Sequence, residues 1–554
     1  MKAPSLGKII FALLFFLPTL CAAQILPHIK TFGFDYGFPR TTEQLQWLAT
    51  HHDVIVGAGD WQTQKFTEEQ FDTLKAANPN VILIPYVVIQ AFTFQPMRDF
   101  MLNWAAKNGF KTEDLYLHYY YDTVVKTRVK VTKTSGTGTP SDRVCDINGT
   151  LLLDGQSSNY YIALGFGGGK AKTIEEARIF QYWNAGFEPR MNHLSKAWEG
   201  AYNAYILDVM TATGTTNKYA DGVMLDTYQG VFDIDGFLPN MHHIIEVRNV
   251  GYSTDDKAAK AWYSGQIATH VGKMTTFLKQ ATGKKQIYII PNFGELSYTY
   301  STYKFGCEDQ FAADKLTAGT IEYVASPSKN YYVIRDYFKK HYDTGAKVDF
   351  TYFNHLDTAW YRYGKIPPIG GKQFMIGSLY LFSSPNTFSA IHYGTASKYG
   401  PEPTYAVSHW DKMLEFDIGT PVVRSTNDFW GTTNTDKAFL VETEAPGPWN
   451  STLSRYEPRG RYVLAREFTK GLAIVRFEQS NNNTLSELGT DPKVYKLGGE
   501  YRRLLEDNTF GPVVTEITLG LSEGAIMIKK EFAKTPWEGP VIDQTKTKLP
   551  LLPQ

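Results

Sequence analysis

Apolar and polar positions alternate in blocks along this chain, and the blocks set its architecture. The run Gly222-Val223-Met224-Leu225 is short and apolar on both faces, as a buried strand of a parallel sheet must be. It stops abruptly at Asp226. Because side chains alternate across a strand, Asp226 shares a face with Met224 and Gly222. Similar runs recur upstream at 31–37, 53–57 and 81–88. Between them lie helical patterns that start near residues 42 and 67, each opened by a capping box, Thr41/Gln44 and Thr67/Gln70. Downstream, a helix with Ile267, Val271, Met274, Phe277 and Leu278 on one face precedes a fifth run at 286–292. Runs at 319–324, 347–354 and 372–382 complete eight. Strands alternating with helices predict parallel βαβ units, and eight of them predict an α/β fold, a (β/α)8 barrel over residues 24–408. A doubly wound open sheet is the rival, weakened because no Gly-rich fingerprint follows the first strand.

Two stretches break the rhythm. Residues from about 123 to 170 are rich in Thr, Lys, Ser and Gly, which predicts a β-hairpin insertion on the loop side of the third unit. The following residues, about 174–210, predict one long helix. After about residue 410 only short strands remain: 462–468 and 472–477 flank the turn Thr469-Lys470-Gly471, and 493–497, 501–505, 516–521 and 525–528 follow. Residues 409–533 thus predict a small β-sandwich, with 534–554 a loosely packed tail.

The length of 554 residues requires more than one core. A net charge of +0 argues against nucleic acid or an anionic membrane as partner. Residues 1–23 read as a signal peptide: Lys2 and Lys8, an apolar run at 9–17, then Cys21-Ala22-Ala23. The expected product is secreted or periplasmic, with no stable membrane insertion after cleavage. Cys145 and Cys307 are then the remaining thiols; a disulfide between them is expected, with two free buried thiols as the alternative.

At the C-terminal ends of the strands the sequence offers Asp35, Asp60 and Trp61, Asp226, Asn292 and Glu295, Glu322, then Asn354 and His355. Glu322 shares its strand face with Thr320. Asp226 and Glu322 therefore stand at one rim of a barrel, and two carboxylates across a cavity are what glycoside hydrolysis uses. Trp61, Tyr228, Tyr323 and Trp360 are flat platforms for sugar rings. Other readings stay open. Asp226 also suits a helix N-cap, Asp35 a turn, Glu295 a solvated loop and His355 a packed or surface position. His242-His243 with Glu246 lacks a third ligand, so no metal is expected. Gly165 to Lys170 lacks the Ser or Thr of a phosphate loop, and no G-x-S-x-G elbow occurs.

The run YADGVMLDTYQ, with Pro291-Asn292, Gly319-Thr320-Ile321-Glu322 and Arg466-Glu467-Phe468, resembles the glycoside-hydrolase-like barrel families of secreted bacterial proteins. The layout is also similar to barrels of the amylase and α-galactosidase type. The resemblance implies Asp226 as nucleophile or base and Glu322 as general acid. It implies Asp35 and Asn292 as residues that position a carbohydrate, with no cofactor. A non-catalytic carbohydrate-binding or cell-surface protein on the same scaffold is the alternative, and a metal-dependent deacetylase a third.

Overall fold

The computed structural model describes residues 29–35, 41–57, 63–89, 92, 95–116, 121–122, 127–128, 140–145, 151–153, 162–164, 179–183, 186–189, 191–193, 195–226, 256–295, 318–322, 351–357, 369–383, 387–392, 411–426, 433–452, 455–478, 489–505 and 509–534. Residues 1–28, Asp60, Trp61, Tyr228, His242, His243, Glu246, Cys307, Tyr323 and Trp360 lie outside them, as do Gly165 to Lys170 and residues 535–554.

Eight parallel strands form the first domain. They are β1 (Lys30–Asp35), β2 (Val54–Gly57), β3, β4 (Gly222–Asp226), β5 (Tyr288–Glu295), β6 (Ala318–Glu322), β7 (Thr351–Asp357) and β8 (Thr387–His392). Strand β3 is in two pieces, Ile82–Ile84 and Tyr86–Val88, because Pro85 has no N–H for the ladder. The first piece pairs with β2 and the second with β4. The remaining pairings run β2–β1–β8–β7–β6–β5–β4, all parallel. The ring is closed, and the fold is a (β/α)8 barrel with a C-terminal β domain.

Alternation fills its interior. Phe32, Val54, Val56, Ile82, Ile84, Met224, Tyr288, Ile290, Phe388 and Ala390 form one buried cluster, with Tyr86 packed against it. The opposite faces pack on helices, among them α1 (Thr42–His51) and α2 (Glu68–Ala77), whose capping boxes both form as the spacing predicts. Helices α3 (Gln95–Lys107), α4 (Lys196–Met210) and α5 (Asp256–Thr282) follow. No helix among the described residues is long and apolar enough to cross a membrane.

Gly222 opens β4 opposite Tyr288. A Cβ there would lie 1.9 Å from the Tyr288 carbonyl oxygen, which is backbone and cannot rotate away. Gly222→Ala is expected to destabilise the chain by about 3 kcal/mol through forced separation of β4 and β5, read as a lower urea midpoint.

Two expectations are corrected. The run 372–382 is not the eighth strand but part of helix α6 (Ile369–Phe382), and the eighth strand is Thr387–His392. This helix is apolar all round because it is covered on every side, by the barrel and by the C-terminal sheet. The stretch 174–210 is not one helix. Ile179–Trp183 and Gly186–Pro189 pair as an antiparallel hairpin, favoured by aromatic and β-branched residues, and the helix begins at Lys196 behind the N-cap Ser195. That hairpin belongs to a five-stranded antiparallel sheet, with Ile162–Leu164, Pro140–Cys145 and Leu151–Leu153, inserted between β3 and β4.

The C-terminal domain is a six-stranded antiparallel sheet of β9 (Phe439–Glu444), β10 (Arg461–Glu467), β11 (Gly471–Glu478), β12 (Lys493–Leu504), β13 (Phe510–Leu519) and β14 (Gly524–Lys529). Its spatial order is β9-β10-β11-β14-β12-β13. One face encloses Val463, Ile474, Tyr495, Tyr501 and Met527, and the other packs on α6. Polar bonds lock that contact. Gln373 on α6 donates to the Leu504 carbonyl at 2.5 Å and accepts from Arg503 at 2.7 Å. Arg466 reaches across from β10 to the last carbonyls of α6, Tyr380 at 3.0 Å and Ser383 at 2.8 Å. A cation there satisfies orphan acceptors and complements the helix dipole.

Candidate active site

Asp226 is the last residue of β4, on the interior face two positions beyond Met224, at the C-terminal mouth of the ring. It is 7% exposed, and both carboxylate oxygens are held. Asn292 of β5 donates its amide to Oδ1 at 2.6 Å, and the Tyr86 hydroxyl of β3 donates to Oδ2. Donors from the strands on either side thus fix the carboxylate in rotation and depth.

Tyr86 was not singled out in the sequence, where 81–88 reads as an almost wholly apolar strand. A signal was present: a buried Tyr needs a partner for its hydroxyl. Tyr86 pairs in register with Met224, and its hydroxyl reaches two residues along β4 to Asp226 at the mouth.

The backbone around Asp226 is held from behind. Its carbonyl accepts from the Ile89 N–H at 3.1 Å. The Ile89 carbonyl in turn lies 2.7 Å from Nε2 of His193. A carbonyl only accepts, so Nε2 carries the proton in this contact. The Tyr202 hydroxyl donates to the Val88 carbonyl at 3.3 Å. His193 leaves the insertion, so the segment that interrupts the barrel also pins the end of β3.

Behind this support Trp198 of α4 lies between two histidines. Its ring centroid is 4.6 Å from that of His193 and 4.5 Å from that of His270 on α5. Among the described residues neither ring nitrogen of His270 has a hydrogen-bond partner, and the residue is 4% exposed. Burial, then the nearby His193 and Lys273, push its pKa down to about 3. Lys273 is itself tied to Glu199 of α4 at 3.3 Å. The unfolded chain takes up this proton near pH 6.5 and the folded chain resists it. The stability at issue is therefore complete above about pH 6.5 and declines as pH falls toward 3. Between pH 7 and 5 the loss is about 2 kcal/mol. His270→Phe is expected to flatten that dependence in urea midpoints taken at both pH values. An unchanged slope would contradict it.

The other predicted residues fall as follows. Glu322 ends β6, and its Cα pairs in register with Glu295 of β5. Thr320, two residues before it, pairs with Asn292. The backbone of Glu322 is thus at the same mouth as Asp226, with one strand between them. Asp35 ends β1 opposite Gly57. Strand β7 continues to Asp357, so His355 lies inside it, paired with Ala390, rather than beyond its end. Asn292 likewise sits inside β5, which runs on to Glu295. Asp221 marks the opposite end of β4. Its oxygens meet Lys75 at 2.8 Å and Lys284 at 2.7 Å and accept from the Leu83 N–H at 3.0 Å. No group of His, Cys, Asp and Glu arranged for a metal occurs among the described residues.

No protein-family model matches this chain, and no curated protein matches it. Solved structures do overlay on it. The isomaltulose synthase of Protaminobacter rubrum is 11% identical over 90% of this chain and 97% of its own, with a TM-score of 0.41. The trehalulose synthase of Pseudomonas mesoacidophila MX-45 is 12% identical over 90% and 98%, with a TM-score of 0.44. The alpha-amylase of H.orenii is 10% identical over 91% and 98%, at 0.40. The closed ring is established by this chain's own strand register, not by these overlays.

Proposed function

We propose that this chain is an exported glycoside hydrolase in which Asp226 and Glu322 share the work on one glycosidic bond. The observation that carries the reading is Asp226: a buried carboxylate at the C-terminal mouth of a closed barrel, gripped at both oxygens by Tyr86 and Asn292. Barrel enzymes place their chemistry at this mouth, and a carboxylate needs fixed orientation to act on a sugar carbon or a water. Glu322, one strand further round, is the general acid in this proposal.

The chemistry then has two forms. If the two carboxyls are about 5 Å apart, Asp226 attacks the anomeric carbon while Glu322 protonates the leaving oxygen. Water then releases the sugar as Glu322 takes back a proton. If they are about 6.5–9.5 Å apart, Asp226 instead takes a proton from water as Glu322 protonates the leaving group. In either form Asp35, Asn292 and His355 position substrate, and Asp60, Trp61, Tyr228, Glu295 and Tyr323 are further substrate-binding candidates.

The test is incubation of the full mature chain with a panel of polysaccharides and oligosaccharides, reading new reducing ends. Release of reducing ends supports the hydrolase. Calorimetric binding with no release over a long incubation would replace it with the carbohydrate-binding reading.

A further inference from the structure

Far along the chain from the barrel mouth, the C-terminal sheet contains a cavity of about 510 Å³. One buried guanidinium lines it, and a second bonds two of its lining carboxylates. Arg461 is 3% exposed and lines it, held by Glu442 at 2.7 Å and by Glu444. Arg476, fully buried, lies behind and bonds Glu478 at 2.5 Å and Asp491 at 3.0 Å. Buried ion pairs of this kind add little stability over apolar packing, so a floor made of them asks for another use. Nearer solvent stand Asp491, whose side chain is 63% exposed, with Lys493 and Arg459. Glu457 and Pro458 form one wall. They are joined to a small hairpin by the Gly447 N–H to the Pro458 carbonyl, 2.8 Å, and the Glu457 N–H to the Pro448 carbonyl, 3.1 Å. That hairpin carries Trp449 paired with Tyr456, and Trp449 is 55% exposed.

We infer that this cavity is a second saccharide-binding site, separate from the barrel mouth. The lining has both signs of charge in near balance, four carboxylates against Arg459, Arg461 and Lys493. An anion would meet the carboxylates, a cation the basic groups, and an apolar ligand would leave every charge without water. A neutral ligand dense in hydroxyls, each both donor and acceptor, satisfies both signs at once. The fixed ion pairs hold those donors and acceptors in place before binding. Trp449, on the hairpin bonded to the Glu457–Pro458 wall, carries an exposed indole, a flat apolar face suited to the C–H side of a pyranose. The inference rests on the proposed function for the class of ligand, but not for its geometry.

The experiment uses the full chain carrying Asp226→Asn, which removes the proposed turnover, in affinity gels containing starch, dextran, laminarin, xyloglucan or pectin. Retardation by at least one glycan is expected. It should weaken about tenfold when Trp449→Ala and Lys493→Ala are added, with the melting curve unchanged. In the chain with Asp226 intact, the same two changes should leave hydrolysis of a short oligosaccharide within twofold. Unchanged retardation in the altered chain overturns this site and leaves the hydrolase standing. A parent that neither cleaves nor is retarded by any glycan overturns both. Should Trp449→Ala and Lys493→Ala disturb folding, Arg459→Ala alone is the substitute, with the same loss expected.

Discussion

Asp226→Asn is expected to lower kcat by about 10⁴-fold or more while the protein stays folded. The substitution is nearly isosteric. The new amide oxygen still accepts from Asn292, and the amide nitrogen can donate to the Tyr86 hydroxyl, whose own proton must turn to another acceptor; Tyr86 is only half-buried, so this costs little. What disappears is the charge and the nucleophilic lone pair, the properties that the proposed step uses. Removing the central group of a catalytic set costs on the order of 10⁴–10⁶ in turnover. Initial rates on whichever glycan the parent cleaves, beside urea midpoints of both proteins, read the two effects separately. A variant within tenfold of the parent on every such glycan takes Asp226 out of the chemistry.

At the other end of the same strand the expected effect is on stability and not on rate. Asp221 joins Lys75 of α2 and Lys284 after α5 to the backbone of β3, and its own carbonyl accepts from the Tyr288 N–H at 3.0 Å. Asp221→Ala leaves two part-buried ammonium groups facing each other and an N–H without its acceptor. About 3 kcal/mol of stability should go, the scale for breaking one side of a buried pair. The pH dependence has a definite sign. Burial alone would raise the Asp221 pKa, but Lys75 and Lys284 together outweigh it and hold the group below its ordinary value. The stabilisation is therefore present above the ordinary carboxylate range and is lost as pH falls through it. Urea midpoints at pH 7 and pH 3 should differ less for Asp221→Ala than for the parent. Turnover per folded molecule at pH 7 should match the parent, because the floor of the barrel is remote from its mouth.

The barrel was legible in the sequence because its parallel strands are buried on both faces and interrupted by capped helices. Thr41/Gln44 and Thr67/Gln70 marked the first two helices, and both boxes form. Asp226 was legible as a carboxylate that abruptly ends an apolar run. What misled was burial from an unexpected side. Helix α6 carries the apolar composition of a strand because the C-terminal sheet covers the face that a barrel helix usually turns to water, and only the three-dimensional packing reveals that cover. Tyr86 and His193 escaped for another reason. Their partners are 140 and 104 residues away, so nothing local reports the bond. The insertion hid its extent because strands paired at long range show weak periodicity in each short piece.

The most direct test of the account is a double-mutant cycle on Asp226→Asn and Glu322→Gln, measured as kcat/KM on one cleaved glycan. Two carboxylates serving a single bond-breaking step are not additive, so the double variant should fall within about tenfold of the slower single variant. Full activity in both single variants, or losses that multiply as for unrelated sites, would contradict the claim that this barrel mouth joins them in one reaction.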